Sequence, residues 1–207
     1  MVQAARALQS ARNVGVFLGS GLSLASGIPT YRDAMGAYVD PEVARFSQLR
    51  TFDSDRRAML YWYEEQRRKL QSIHPNLGHH ALAQLACRQP TVFVTQNVDG
   101  LLDRALSEAG ADAEVYPLHG RLMQTRCHVC RRLERREVDL CEEPLCRVCG
   151  GSLRPDVVWF GEALARDVWQ GAMDAFLEIQ ACLIIGTSGM VYPATELPEL
   201  AQARGVT

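Results

Sequence analysis

A chain of 207 residues, 47% hydrophobic and 22% charged, carries enough apolar material for one sizeable core plus a small appended module. Its formal net charge of −2 excludes the basic field that non-specific nucleic-acid binding needs, and no apolar run approaches the roughly 18–20 residues of a membrane span. The first residues, MVQAARALQSARN, lack the apolar stretch of a secretory signal, and five of the seven cysteines lie between Cys127 and Cys149, which favours a metal in a reducing compartment, the cytoplasm, over a disulfide framework.

In chain order, apolar and alanine positions at helical spacing predict a helix over 3–12, followed by a short buried strand at Val14–Leu18. Gly19 to Arg32 reads as loop, with Gly-Ile-Pro as its turn signal. Residues 42–71 read as helix with a break near Thr51–Ser54, and Asn76–Ala86 as another helix. TVFVTQN (91–97) is a β-branched strand that stops at a polar cluster, and DGLLDRALSEAG is a helix closing on Gly110. AEVYPLHG is a short strand ending at His119-Gly120, residues 121–154 form a cysteine-rich insert, and DVVWFGE is extended. A helix over 163–179, the strand ACLIIGTS and a last helix in PATELPELAQAR complete the chain. Strands alternating with helices predict a parallel α/β sheet with right-handed crossovers, and in such sheets ligands lie beyond the carboxyl ends of the strands. GSGLS, TQNVDG, LHG and GTSG all fall there.

The residue types at these ends suit a nucleotide. Gly19 and Gly21 lack a Cβ, so backbone can approach a ligand closely and loop N–H groups can face a phosphate, with Arg32 as a cation nearby. The spacing is not that of the G-x-G-x-x-G fingerprint, and a tight structural turn remains an equal reading of this stretch. Gln96, Asn97 and Asp99 can hydrogen-bond an amide or ribose hydroxyls, and Asp99 can also cap the helix that follows. His119, with an ordinary pKa near neutrality, can take a proton from a sugar hydroxyl, whereas His79 and His80 sit within a helix as packing or surface residues.

Cys127-x2-Cys130 and Cys146-x2-Cys149, fifteen residues apart, have the spacing of a closed tetrahedral zinc site on two knuckles. Four thiolates leave no open position, so this zinc is structural. Cys141 is the competing ligand, and Cys87 and Cys182 are expected in the core.

Taken together, GSGLSLASGIPTYR, TQNVDGLL, LHG, CHVC…CRVCGG, LRPDVVWFGE and GTSGMVYPA, in this order, resemble the sirtuin family of NAD-dependent protein lysine deacylases over nearly the whole chain, with a lean toward the branch common in bacteria. The resemblance implies an α/β fold: a Rossmann-like parallel sheet with helices on both faces in 1–34, 76–120 and 155–207, a helical insertion at 35–75 and a zinc ribbon at 121–154. It implies that Gly19, Ser20, Gly21 and Ser23 line the NAD phosphates. Tyr31 and Arg32 then belong to a loop over the nicotinamide ribose, Gln96 and Asn97 contact that ribose, and Asp99 with Ile28 holds the nicotinamide amide. Gly186, Thr187 and Ser188 bind the adenosine half, and Val158, Trp159, Phe160 and Gly161 pair with the substrate peptide by strand addition. His119 is the general base. In the implied reaction the acyl oxygen of an acylated protein lysine attacks the ribose as nicotinamide leaves, and a ribose hydroxyl deprotonated by the histidine attacks the resulting imidate. The products are lysine, nicotinamide and O-acyl-ADP-ribose.

Three positions depart from the family pattern. The branch that removes succinyl and malonyl groups carries Tyr-x-x-Arg beside the acyl pocket, whereas here Tyr63 is followed by Gln66, with Arg67 one place later and turned about 100° around the helix. Arg67-Arg68-Lys69 then reads as a solvated basic face. Leu24 replaces a common alanine and narrows the acyl pocket if it points inward. Both features predict a deacetylase with weak activity on acidic acyl groups. Third, sirtuins continue with another strand, an Asn-bearing turn and a helix after the point corresponding to Thr207, so the sequence reads as lacking that end. ADP-ribosyl transfer or NAD hydrolysis, and a truncated non-catalytic NAD-binding module, are the competing readings. A membrane or a specific nucleic acid is not expected as a partner.

Overall fold

The computed structural model describes residues 2–30 and 40–207. Helix α1 (Val2–Ser10) leads into strand β1 (Val14–Leu18), and two single 3₁₀ turns, Ser20–Leu22 and Leu24–Ser26, follow. Helices α2 (Pro41–Phe46), α3 (Leu49–Ser54) and α4 (Arg56–Gln71) come next, then α5 (Leu77–Arg88), β2 (Thr91–Thr95), α6 (Leu101–Ala109) and β3 (Glu114–Pro117). Strands β4 (Gly120–Cys127), β5 (Leu133–Glu134) and β6 (Leu153–Val157) build the ribbon. Helix α7 (Arg166–Leu177), β7 (Ala181–Ile185) and α8 (Glu196–Ala203) close the chain.

The main sheet has the order β3-β2-β1-β7 and is parallel throughout. Its central strand β1 pairs in register on both sides, Val14 with Thr91 and Ala181, Leu18 with Thr95 and Ile185. Side chains alternate between faces along a strand. Val14, Val16, Leu18 and Phe93 therefore pack on Leu82 and Ala83 of α5 and Leu102, Ala105 and Leu106 of α6. Phe17 and Val94 point the other way, to Ala172 and Phe176 of α7 and Leu197 and Ala201 of α8. Burial on both faces explains why these strands read as continuous apolar runs. At Gly15 a Cβ would stand 2.6 Å from Ile179, two residues past α7, and 3.4 Å from Phe176 of α7, so the end of that helix sits directly on the strand.

The second sheet, β5-β4-β6, is antiparallel. Gly120 pairs with Val157 and Cys127 with Leu153, and the register shifts between Arg121 and Thr125. Strand β4 was not marked out in the sequence, where 121–154 reads only as a cysteine-rich insert and, by resemblance, a zinc ribbon. The register shift takes main-chain groups out of the ladder, and Arg67 of α4 meets them. Its Nε donates to the Leu122 carbonyl at 2.8 Å, and its Nη2 donates to the Gln124 carbonyl at 2.7 Å and to Thr125 Oγ1 at 2.9 Å. Arg67 is thus buried and bolts α4 to the bulge, which corrects the reading of 67–69 as a solvated face. Arg68 and Lys69 are exposed as expected.

The helical insertion shares a core of Phe46, Phe52, Met59, Leu60, Tyr63 and Leu70 with Leu122, Val157 and Trp159. It is interrupted at Asp55, beside the expected break near Thr51–Ser54, and also at Ser47–Gln48. The interruption at Ser47–Gln48 has a long-range cause: the Ser47 carbonyl accepts from the Phe160 N–H at 2.8 Å and the Leu49 N–H donates to the Phe160 carbonyl at 3.1 Å, so Ser47–Leu49 is drawn out as a short parallel bridge. No helix among the described residues is long and apolar enough to cross a membrane.

Candidate functional site

The carboxyl ends of β1, β2 and β7 converge on one loop cluster. The Gly19 N–H donates to the Ile185 carbonyl at 2.9 Å and the Gly21 N–H to the Gly186 carbonyl at 2.8 Å. A Cβ at Gly19 would meet the Gly186 carbonyl at 2.6 Å, and one at Gly186, whose φ is +66°, would meet the Leu22 nitrogen at 2.3 Å. The glycines are therefore required first by the contact between two loops of the protein itself. That contact is what brings the Gly19–Ser20 backbone and Gly186–Ser188 to one cavity wall.

Gln96, one residue past β2, ties three strand ends together. Its N–H donates to the Leu18 carbonyl at 3.0 Å, its Nε2 to Thr187 Oγ1 at 2.9 Å, and its carbonyl faces His119 Nδ1 at 3.0 Å. A carbonyl only accepts, so Nδ1 carries the proton and Nε2 is left as the basic nitrogen. Burial lowers the His119 pKa, with the Gln96 hydrogen bond opposing that shift, so the ring is neutral at pH 7. Asn97 Nδ2 donates to the Gly19 carbonyl at 3.1 Å and to Ser23 Oγ at 3.3 Å, and the fully buried Ser23 donates to Asp99 Oδ2 at 2.7 Å. The other Asp99 oxygen accepts from the Leu101 N–H at 2.9 Å, from the position before the helix cap, which is Gly100 rather than the Asp99 expected.

These groups open onto a cavity of about 300 Å³. Gly19, Ser20, Gln96, Asn97 and His119 line one side of it, with Gly186, Thr187 and Ser188. Tyr63 and Val158 to Gly161 line it as well. The Val158 N–H donates to the His119 carbonyl at 2.9 Å, so this segment and the histidine are fixed to each other. Tyr63 is buried, donating to the Phe46 carbonyl at 3.0 Å and accepting from Trp159 Nε1 at 2.8 Å. Gly21, Ser23, Ile28 and Asp99 stand behind the wall and do not line the cavity. Tyr31 and Arg32 lie outside the described residues.

A Sir2 family profile matches residues 19–193. The chain belongs to the Sir2 family. Similar relatives include NAD-dependent protein deacylase 1 of Pseudomonas aeruginosa, 40% identical over 97% of this chain and 82% of its own length. NAD-dependent protein deacylase 2 of Pyrobaculum aerophilum is 38% identical over 96% of this chain and 78% of its own length. Among solved structures, a complex of a Sir2 homologue with NAD superposes with a TM-score of 0.85 at 32% identity, covering 99% of this chain and 79% of that one. A Sir2 complex with an inhibitor, 2′-O-acetyl-ADP-ribose and a deacetylated peptide superposes at 0.79 and 28% identity, covering 98% and 82%.

Several expectations change against this Sir2 framework. Gln66 does not line the cavity, and Leu24 is 57% exposed on its 3₁₀ turn, so it does not narrow the acyl pocket. Cys87 is exposed on α5 rather than buried, while Cys182 packs under the sheet and burial pushes its thiol up to about 11. Ser47, Glu162 and Val191 to Pro193 line the cavity without having been singled out from the sequence. A Pro-Ala signal after GTSGMVY marks a turn there, but not the direction in which the turn faces. His79 is fully buried: its Nδ1 accepts from the Asn76 N–H at 3.2 Å in a capping box, and its Nε2 has no partner among the described residues.

Away from the cavity, the sulfurs of Cys127, Cys130, Cys146 and Cys149 all lie within 4.8 Å of one another, with Cys127–Cys149 at 3.4 Å and Cys130–Cys146 at 3.8 Å. A tetrahedron with metal–sulfur bonds of about 2.3 Å has edges of about 3.8 Å, so the four thiols fit a closed metal site. The Val148 and Cys149 N–H groups point at Cys146 and lower its thiol to about 7, favouring the thiolate that a metal needs. Cys141 stands outside this group, on a turn capped by Asp139.

Proposed function

We propose that this chain is an NAD-dependent protein lysine deacylase acting on neutral acyl groups, acetyl foremost. The observation that carries this reading is the tautomer-locked His119, neutral and basic at Nε2, in a cavity shared by the glycine loops and the Val158–Gly161 segment. NAD, when bound, supplies a ribose carbon that accepts the acyl oxygen and a nicotinamide that leaves. Gly19 and Ser20 face the phosphates, Gly21 and Ser23 hold that loop in place from behind the wall, and Tyr31 and Arg32 keep the part in nicotinamide-ribose binding that the family resemblance implies. Gln96 and Asn97 hold the ribose and Gly186, Thr187 and Ser188 the adenosine, while Ile28 and Asp99, which stand behind the wall, act on the nicotinamide side through the loop residues they support. His119 removes a ribose hydroxyl proton through Nε2. Val158 to Gly161 take the peptide main chain, with Tyr63 against the acyl-lysine.

Two features support a neutral acyl group. Among the described residues no arginine or lysine lines the cavity, and the guanidinium of Arg67 is consumed by β4. Among the described lining residues a carboxylate-bearing acyl chain therefore finds no cation to meet it. Gln66 acts in this reading only through what it lacks, a charge. One structural Zn²⁺ on Cys127, Cys130, Cys146 and Cys149 holds the ribbon together and takes no part in the chemistry.

Incubation with NAD and acetyl-lysine or succinyl-lysine peptides, followed by mass spectrometry, tests the reading. Acetyl loss should require NAD and fall by about 10²–10⁴-fold in His119→Ala. Faster succinyl than acetyl loss would overturn the acyl preference. Nicotinamide release that is indifferent to peptide would favour ADP-ribosyl transfer or NAD hydrolysis instead.

A further inference from the structure

The sequence VVWFGE ends in a carboxylate to which neither the chemistry nor the metal assigns a role. Glu162 lies at the cavity edge with its side chain 4% exposed, and three arginines converge on it. Arg154 grips it with two prongs, Nη1 to Oε1 at 2.7 Å and Nη2 to Oε2 at 2.8 Å. Arg131 reaches Oε1 at 3.1 Å, and Arg126 stands 3.8 Å from Oε2. The same Oε2 accepts the Trp159 N–H at 2.9 Å, and the Glu162 N–H returns to the Trp159 carbonyl at 2.9 Å. Burial by itself would raise this carboxyl, but the hydrogen bonds and charge of Arg154 outweigh it and bring it down to about 2, so it stays ionised.

Its main partner holds the same turn from the other side. Arg154 is fully buried, donates to the Val157 carbonyl and stacks 3.2 Å over the Trp159 ring. Trp159 is held again by Tyr63 through its Nε1, and Phe160 by Ser47 and Leu49 through its main chain. Arg131, the third cation, follows Cys130 directly with a left-handed φ of +62° and belongs to the first cysteine knuckle. A buried ion cluster is an inefficient way to gain stability, because apolar groups of the same volume do as well or better. What such a cluster does supply is a fixed set of directions for the main-chain groups it binds.

We propose that Glu162 is a positioning residue for the acyl-lysine substrate, holding the Trp159–Gly161 turn, through Arg154 and Arg131, in the shape that receives the peptide beside His119. This rests on the deacylase reading. It also makes the cysteine knuckle a support of the substrate turn, because Arg131 carries one of the contacts.

Steady-state kinetics on three variants test it. Glu162→Gln should raise KM for an acetyl-lysine peptide about tenfold or more and leave KM for NAD within about twofold. Glu162→Asp, which keeps the charge, should recover part of the loss. Arg131→Ala removes a half-exposed partner whose only ion pair among the described residues is with Glu162, and should raise the peptide KM about two- to threefold with zinc content unchanged. A merely structural role would lower the folded fraction, and with it the rate at saturation, while leaving KM in place. A peptide KM unmoved in Arg131→Ala, and in Glu162→Gln where that variant folds, overturns the proposal while wild-type turnover leaves the deacylase reading standing. Absence of NAD-dependent turnover in the wild type overturns both.

Discussion

One wall of the cavity rests on the parallel sheet and the other on the ribbon. Under the first, Val14, Val16, Phe17, Leu18, Phe93 and Val94 are all wholly buried, and polar groups occur where the strands stop. Under the second, the ribbon's own cluster is small, Cys127, Cys146 and Leu153 with Val138 against them. The rest of its apolar surface packs on the helical insertion through Leu122, Leu140, Val157 and Trp159, and Arg126, Arg154 and the side chain of Glu162 are buried among one another. The difference follows from size. The sheet has helices on both faces and enough apolar area to fix its loops by close backbone contact. An insert of some thirty residues cannot close an apolar core of its own and relies on thiolates and ion pairs. The same cavity therefore has its sheet side based on a core of its own, whereas the ribbon side depends on the helical insertion's core and on ion pairs and thiols for what its small cluster does not supply.

The largest expected effect separates the two walls outright. A structural zinc contributes about 10–16 kcal/mol to small zinc-folded modules. Cys127→Ser should therefore abolish stoichiometric zinc and the hydrogen-exchange protection of residues 120–157 while β1, β2 and β7 stay protected. Equal loss of protection in both regions would break the comparison. The converse change, Phe93→Ala in the sheet core, should cost about 3–5 kcal/mol in urea unfolding and leave zinc content per folded chain unchanged.

A third test uses pH. Burial is the leading cause of lowered pKa at His79, His119 and His128, each below the ordinary 6.5. Unfolded histidines thus take up protons first as pH falls. Stability is complete above about 6.5 and declines below it, through the lowered folded values. The acid limb of kcat/KM, set by His119, should likewise have its midpoint below 6.5, and a limb above that value would sink the burial argument. The smallest effect concerns a single joint. Asn76 caps α5 through Oδ1 and holds the Leu22 carbonyl and Ser26 Oγ through Nδ2, at 2.8 and 3.0 Å. Asn76→Ala should cost about 1–2 kcal/mol in thermal or urea unfolding.

The sheet was open to reading because its causes are local. Apolar β-branched runs of five residues, stopped by GSG, TQN or GTS, are what a strand buried on both faces requires, and paired C-x2-C spacing is what four thiolates around one metal require. His119 stood out because a titratable side chain at a strand end has little structural reason to be there. By contrast, the break at Ser47 depends on Phe160, more than a hundred residues away, and the burial of Arg67 depends on a register shift in β4. Leu24 and Cys87 are exposed because of what fails to cover them, which no window of sequence contains.

What the sequence by itself determined was the alternation of strands and helices, the polar ends of the strands, which four cysteines cluster and the family. Those follow from residue type and spacing alone. Only the tertiary structure decided that Gly19, Gly21 and Gly186 are glycines because two loops touch, that Arg67 is spent on β4 rather than the cavity, and that Glu162 gathers three arginines at the Trp159–Gly161 turn. Each of these is a contact between segments far apart along the chain, and its energy depends on distance and burial that exist only once the chain has folded.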